Sequence, residues 1–193
     1  MKSVVISIFF ILSLAAASTL PDYPSRNARE CPVTVENIGV LIGLEPVENY
    51  RAQSTYFQTD LARKGYVPIF LVIENGTRAD SFIFDKTKVT YGPADSAVSA
   101  ARTGTGAGKA IALSAIPFFG PFAGAKVISN ASQIQVNLLK KEIQSTTLSP
   151  GASTRGFLYI PIPGKTFPRE KITLRVPISR AGTNETFDLN LVF

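Results

Sequence analysis

The chain has 193 residues, with 20 Lys and Arg against 14 Asp and Glu, one cysteine, and neither tryptophan nor histidine, for a formal charge of +6. Without histidine there is no Ser-His-Asp or Cys-His catalysis, no imidazole base and almost no route to a zinc site. The basic residues are scattered, and even Lys140-Lys141 runs straight into Glu142. Nucleic acid is therefore not an expected partner, and the charge supports only a mild preference for anionic surfaces.

Lys2 is a short cationic start, Val4 to Leu14 is apolar, and Ala15-Ala16-Ala17 offers small residues before Ser18. That order describes a secretory signal over residues 1–17, too short in its apolar run to cross a bilayer comfortably. Residues 18–32 carry Pro21 and Pro24 and form an extended leader. Cys31 has no partner for an intramolecular disulfide. It is not a lipid-attachment cysteine either, because Ala28-Arg29-Glu30 precedes it. It is expected to lie buried just ahead of the first strand.

The body, residues 33–193, reads as one domain. Val33 to Leu44 is rich in β-branched residues and bounded by Pro32 and Pro46, which describes a strand with glycine bulges. Val47, Tyr50, Phe57 and Leu61 fall on one helical face, ended by Lys64-Gly65. Tyr66 to Glu74 is an apolar run that stops at Asn75-Gly76, which makes it a central strand with Pro68 near its start. Ser81 to Phe84 and Lys86 to Tyr91 are shorter strand candidates.

From Pro93 to about Thr147 the strand pattern gives way to an insert of helical character. Ala94 to Arg102 and Lys109 to Ile116 read as short helices, Pro117 to Pro121 as a turn, and Val127, Ala131, Ile134 and Leu138 keep helical spacing. Strands resume after Ser149-Pro150-Gly151: Gly156 to Pro163, Lys171 to Ser179 and Phe187 to Phe193. The last two alternate apolar and polar residues, as half-buried antiparallel strands do. Strands on both sides of a Gly/Ala-rich apolar insert describe a mainly β chain, an antiparallel β-sandwich.

The strand and turn VPIFLVIENGT at Val67 to Thr77, followed much later by LSPGASTRGFLYIPIP at Leu148 to Pro163, resembles the exported immunoglobulin-like sandwiches of bacteria. That resemblance covers about half of the mature chain. It implies an immunoglobulin-like fold and a place in the cell envelope, and it implies no activity.

Motifs of chemistry are scarce. Neither Ser-x-x-Lys nor Gly-x-Ser-x-Gly occurs. Gly104-Thr105-Gly106-Ala107-Gly108-Lys109 departs from a phosphate loop twice, at Thr103 and Ala110. Carboxylates are the only acid-base groups left; Asp80 and Asp85 stand beside a turn, and no calcium loop is present. No catalytic, metal or cofactor site is expected. Three Asn-x-Ser/Thr sequons, at Asn75, Asn130 and Asn184, are explained as turn and cap residues.

The insert offers the most distinctive surface. Ala110 to Ala125 carries no charge, and small residues recur every four positions at Gly104, Gly108 and Ala112 and at Gly120 and Gly124. Buried, it is a tightly packed helical hairpin. Exposed, residues 104–128 would insert into a bilayer or join copies, with Ile116, Phe118, Phe119 and Phe122 as the apolar contact surface and Lys109 and Lys126 meeting anionic headgroups. Burial is the favoured reading. The function expected is that of a non-catalytic exported protein that binds or scaffolds an envelope protein or lipid surface, with membrane association or homo-oligomerisation through the hairpin as the second reading and carboxylate-based hydrolysis as the third.

Overall fold

The computed structural model describes residues 21–93, 108–109, 134–162, 167 and 170–193, in which two antiparallel sheets dominate. One sheet has the order β1 (Val33–Asn37), β2 (Val40–Pro46), β3 (Tyr66–Asn75), β8 (Ser153–Pro161). Val33 to Leu44 is therefore two strands and not one bulged strand. Ile38 and Gly39 reverse the chain with φ of 52° and 78°, and Asn37 pairs Val40 across them. Two successive left-handed residues match the twist of a tight hairpin, and glycine takes the second place without strain.

The second sheet is built on β9 (Ile172–Arg180). Strand β10 (Thr186–Val192) covers one edge of β9. The other edge is shared end to end by β4 (Phe82–Phe84), which pairs 178–180, and β5 (Thr90–Pro93), which pairs 172–175. Between them a 3-10 turn at Lys86–Lys88 interrupts the strand, capped by the Asp85 carboxylate, which accepts from the Thr87 amide at 3.0 Å and the Thr87 hydroxyl at 2.7 Å. Strands β6 (Gly108–Lys109) and β7 (Thr146–Leu148) continue outward from β5 and β4. Lys109 therefore lies in a strand pair and does not open a helix. The rest of the expected insert, up to residue 133, lies outside the described residues.

The sheets share one apolar core. Ile42, Leu44, Ile69, Leu71 and Ile160 from the first sheet meet Phe82, Phe84, Leu174, Val176 and Leu191 from the second. The alternation expected for the C-terminal strands holds: Leu174, Val176 and Ile178 are fully buried, as are Leu189 and Leu191. Each such side chain removed from water contributes about 1.5–3 kcal/mol.

The first sheet is buried on its other face as well. Leu41, Phe70, Val72, Phe157 and Tyr159 pack under Phe57 of helix α1 (Tyr50–Phe57), Leu138 of helix α2 (residues 134–141), and Ala28 and Cys31 of the leader. Helix α1 is shorter than the spacing predicts. Asn49 caps its start, and Gln58 turns left-handed at its end. Val47, Phe57 and Leu61 are buried as expected, but Tyr50 is 58 % exposed and Gln53 takes the inward position. The Gln53 amide satisfies both its ends there, donating to the Val47 carbonyl at 2.6 Å and accepting from the Ala62 amide at 3.1 Å.

Candidate functional site

The outer face of the first sheet carries a cluster of polar contacts, and the leader organises it. Residues 21–27 run extended across this face and end in a 3-10 turn at Ala28–Glu30. The turn lies directly on β2 because position 43 is glycine. A Cβ there would fall 2.3 Å from the Ala28 carbonyl oxygen and 2.8 Å from the Cys31 sulfur.

Tyr23 is the anchor. Its ring stands edge-on to Phe157 at 5.0 Å and to Tyr56 at 4.9 Å, and tilts over Phe70 at 4.8 Å. Offset and edge-to-face contacts of this kind add to burial through the ring quadrupoles. Burial pushes the Tyr23 phenol well above its ordinary value, and the hydrogen bond and negative charge of Glu45 push the same way. Glu45 also takes Arg26 Nη1 at 2.8 Å. An aromatic anchor and a cation three positions after it in the leader thus converge on one carboxylate at the end of β2.

An open cleft of about 520 Å3 continues from this point, lined by Asn27, Arg29, Glu30, Glu74, Asn75, Gly76, Gly151 and Ser153. Its two carboxylates both serve the leader. Glu74 Oε1 accepts from the Ala28 amide at 2.8 Å, and Glu30 Oε2 from the Asn27 amide at 3.0 Å. Arg29 pairs with Glu36 at 3.2 Å. The Cys31 thiol beside them is buried, its pKa raised by that burial and then by Glu45, so it stays protonated. Chemically the arrangement offers hydrogen-bonding and ionic contacts.

Asn75 closes one wall. It is 2 % exposed, and its amide donates to the Asp80 and Leu148 carbonyls at 2.8 and 3.0 Å while its oxygen accepts from the Thr77 amide and hydroxyl. A side chain so engaged is no glycan acceptor in the folded protein, whereas Asn184 is exposed. Asn130 lies outside the described residues.

A second polar group lies at the junction of the sheets. Lys86 Nζ bonds Glu142 at 3.0 Å, with side chains 16 % and 4 % exposed, and Tyr159 donates to the Leu138 carbonyl at 3.0 Å. This pair joins the 3-10 turn between β4 and β5 to the residues after α2. Asp80 contributes its backbone carbonyl to the Asn75 network, and Asp85 its carboxylate to the turn cap; these two acids serve separate loops.

Ile116, Phe118, Phe119, Phe122 and Lys126 lie outside the described residues, as does the Lys109 side chain. Tyr23, Arg26 and Glu45 were not singled out. Their signal in the sequence is one aromatic held between Pro21 and Pro24, a composition that favours an extended segment. Among the described residues no three acidic or cysteine side chains gather as metal ligands, and no helix is long and apolar enough to cross a membrane. Comparison with protein-family models, with curated proteins and with solved structures gave no match.

Proposed function

We propose that this chain is an exported, non-catalytic β-sandwich of immunoglobulin-like kind that binds or scaffolds a partner in the cell envelope. The observation that carries the reading is the assignment of charges on the outer face of the first sheet. Glu45 and Glu74 hold the leader in place and Glu30 caps its turn, which supports a role for this polar cluster in recognition and positioning. The sandwich reading is supported by two antiparallel sheets around one core. Export is supported by the signal-like order of residues 1–17, and by a lone cysteine buried where an oxidising compartment would not reach it.

Fractionation of the native cell together with crosslinking of the mature protein tests this directly. The expected outcome is processed protein in an envelope or extracellular fraction, crosslinked to a discrete partner. Full-length, unprocessed protein in the cytosol would overturn the reading.

One sequence observation favours a second reading, association with a membrane or another copy through residues 104–128. Sixteen consecutive uncharged residues there include Phe118, Phe119 and Phe122. Co-sedimentation with anionic liposomes separates the two. Binding that is lost when the three phenylalanines become serine supports membrane contact, and no binding by either protein removes it.

A further inference from the structure

We propose that the outer face of the first sheet is a peptide-docking groove that the chain fills with its own leader, and that the leader of a second copy occupies it in trans. The inference deepens the binding reading above and rests on it.

The structure displays a bound peptide in all but connectivity. Among the described residues, 21–26 make no backbone–backbone hydrogen bond to the sheet. They are held by side chains alone. The Tyr23 ring fills a slot between Tyr56, Phe70 and Phe157, and Arg26 reaches Glu45. Lys141 Nζ meets the Pro21 carbonyl at 3.1 Å, and Arg155 meets the Ser25 hydroxyl. Apart from Tyr23 and Arg26 the segment from Pro21 to Asn27 is exposed. An extended segment with one half-buried aromatic and a paired cation three residues on is how a linear peptide seats in a preformed groove: a central aromatic anchor surrounded by weaker polar contacts.

Two features make this site exchangeable. The segment lacks ladder hydrogen bonds, so releasing it breaks side-chain contacts and leaves both sheets intact. The turn after it, by contrast, is fixed by the fully buried Ala28 against Gly43 and by the Asn27 cap, so residues 21–26 can swing as one arm from a rooted base. The arm of a second copy carries the same tyrosine and arginine at the same spacing, which makes it a matched occupant and gives a low-cost route to dimers. The arm in cis competes at an effective concentration in the millimolar range, so exchange becomes visible once the cis arm is weakened.

The test uses a fluorescent peptide of residues 18–30 and the full mature chain carrying Tyr23→Ala. Saturable binding to this variant, at least about tenfold tighter than to the wild type because the cis competitor is gone, is the expected result. It should weaken when Glu45→Gln is added, and fail for a peptide with serine in place of tyrosine. Mixed with wild-type chain, the variant should sediment in part as a dimer. No saturable binding to a folded variant, or equal binding to variant and wild type, would overturn the groove. Peptide binding with only monomers in the mixture would overturn the second copy as occupant. Should Tyr23→Ala not fold, Arg26→Glu weakens the cis arm without opening an apolar hole, and the same outcomes apply. Failure of all binding would leave the cell fractionation result standing, so the two readings fall separately.

Discussion

Tyr23 and Asn75 show how much of this site is decided by single side chains. Burial raises the phenols of both Tyr23 and Tyr159 above the ordinary tyrosine value of about 10. The folded chain therefore keeps protons on these two phenols that the unfolded chain releases near pH 10. Stability from this source is complete below about pH 10 and declines as pH rises beyond it. Tyr23→Phe keeps the ring and removes one of the two protons, so thermal melts between about pH 8 and 11 should show a shallower alkaline loss than wild type. An unchanged slope would mean that Tyr23 is not buried as described. Asn75→Ala removes a buried amide from two carbonyls and from Thr77. It should cost about 1–3 kcal/mol or more in a denaturant titration, the penalty of leaving buried polar groups unpaired. The sequence marks Asn75-Gly76 as a turn, and that holds. That the asparagine also joins β3 to the end of β7, 73 residues away, is a tertiary fact that no local pattern encodes.

Among the elements, β8 carries the clearest consequences. Phe157 and Tyr159 face the leader and helices, Leu158 and Ile160 face the shared core, and all four are buried. Phe157→Ala should cost on the order of 3–5 kcal/mol, the usual range for a buried aromatic truncated to a cavity. A melt unchanged by it would contradict the double burial of the sheet. Gly156 lets the residues after α2 cross β8, since a Cβ there would sit 2.6 Å from the Ile143 nitrogen. Gly151 meets nothing, though its φ of 74° disfavours a side chain. Gly156→Ala should therefore destabilise by about 1–3 kcal/mol through overpacking and loosen α2, while Gly151→Ala should cost about 1–2 kcal/mol and leave α2 in place. Helical circular dichroism separates the two. Period-two alternation made β9 and β10 legible because one face of each is wet. The hairpin at Ile38-Gly39 was not legible, because a β-branched residue at positive φ is the last choice for that position. Gln53 was missed for a related reason: a polar side chain that satisfies its own amide can replace an apolar one inside.

For the whole molecule, the described chain forms three layers: a leader with two helices, a sheet buried on both faces, and a second sheet across the main core. Stability should fall steeply from the middle layer outward. In hydrogen exchange, amides of β3 should open only with global unfolding, while those of residues 22–26 should exchange through local release of the arm. Equal protection of the two would rule out an arm that moves by itself. The contacts of the arm also have a direction in time. Pro21 meets Lys141, and Ser25 meets Arg155, across 120 and 130 residues of chain. A polypeptide emerging N-terminus first has made its arm long before it makes the groove, and cannot seat the one until β8 has arrived. If residues 1–17 are the export signal proposed above, cleavage before Ser18 during translocation precedes the seating of the arm by the order of synthesis alone.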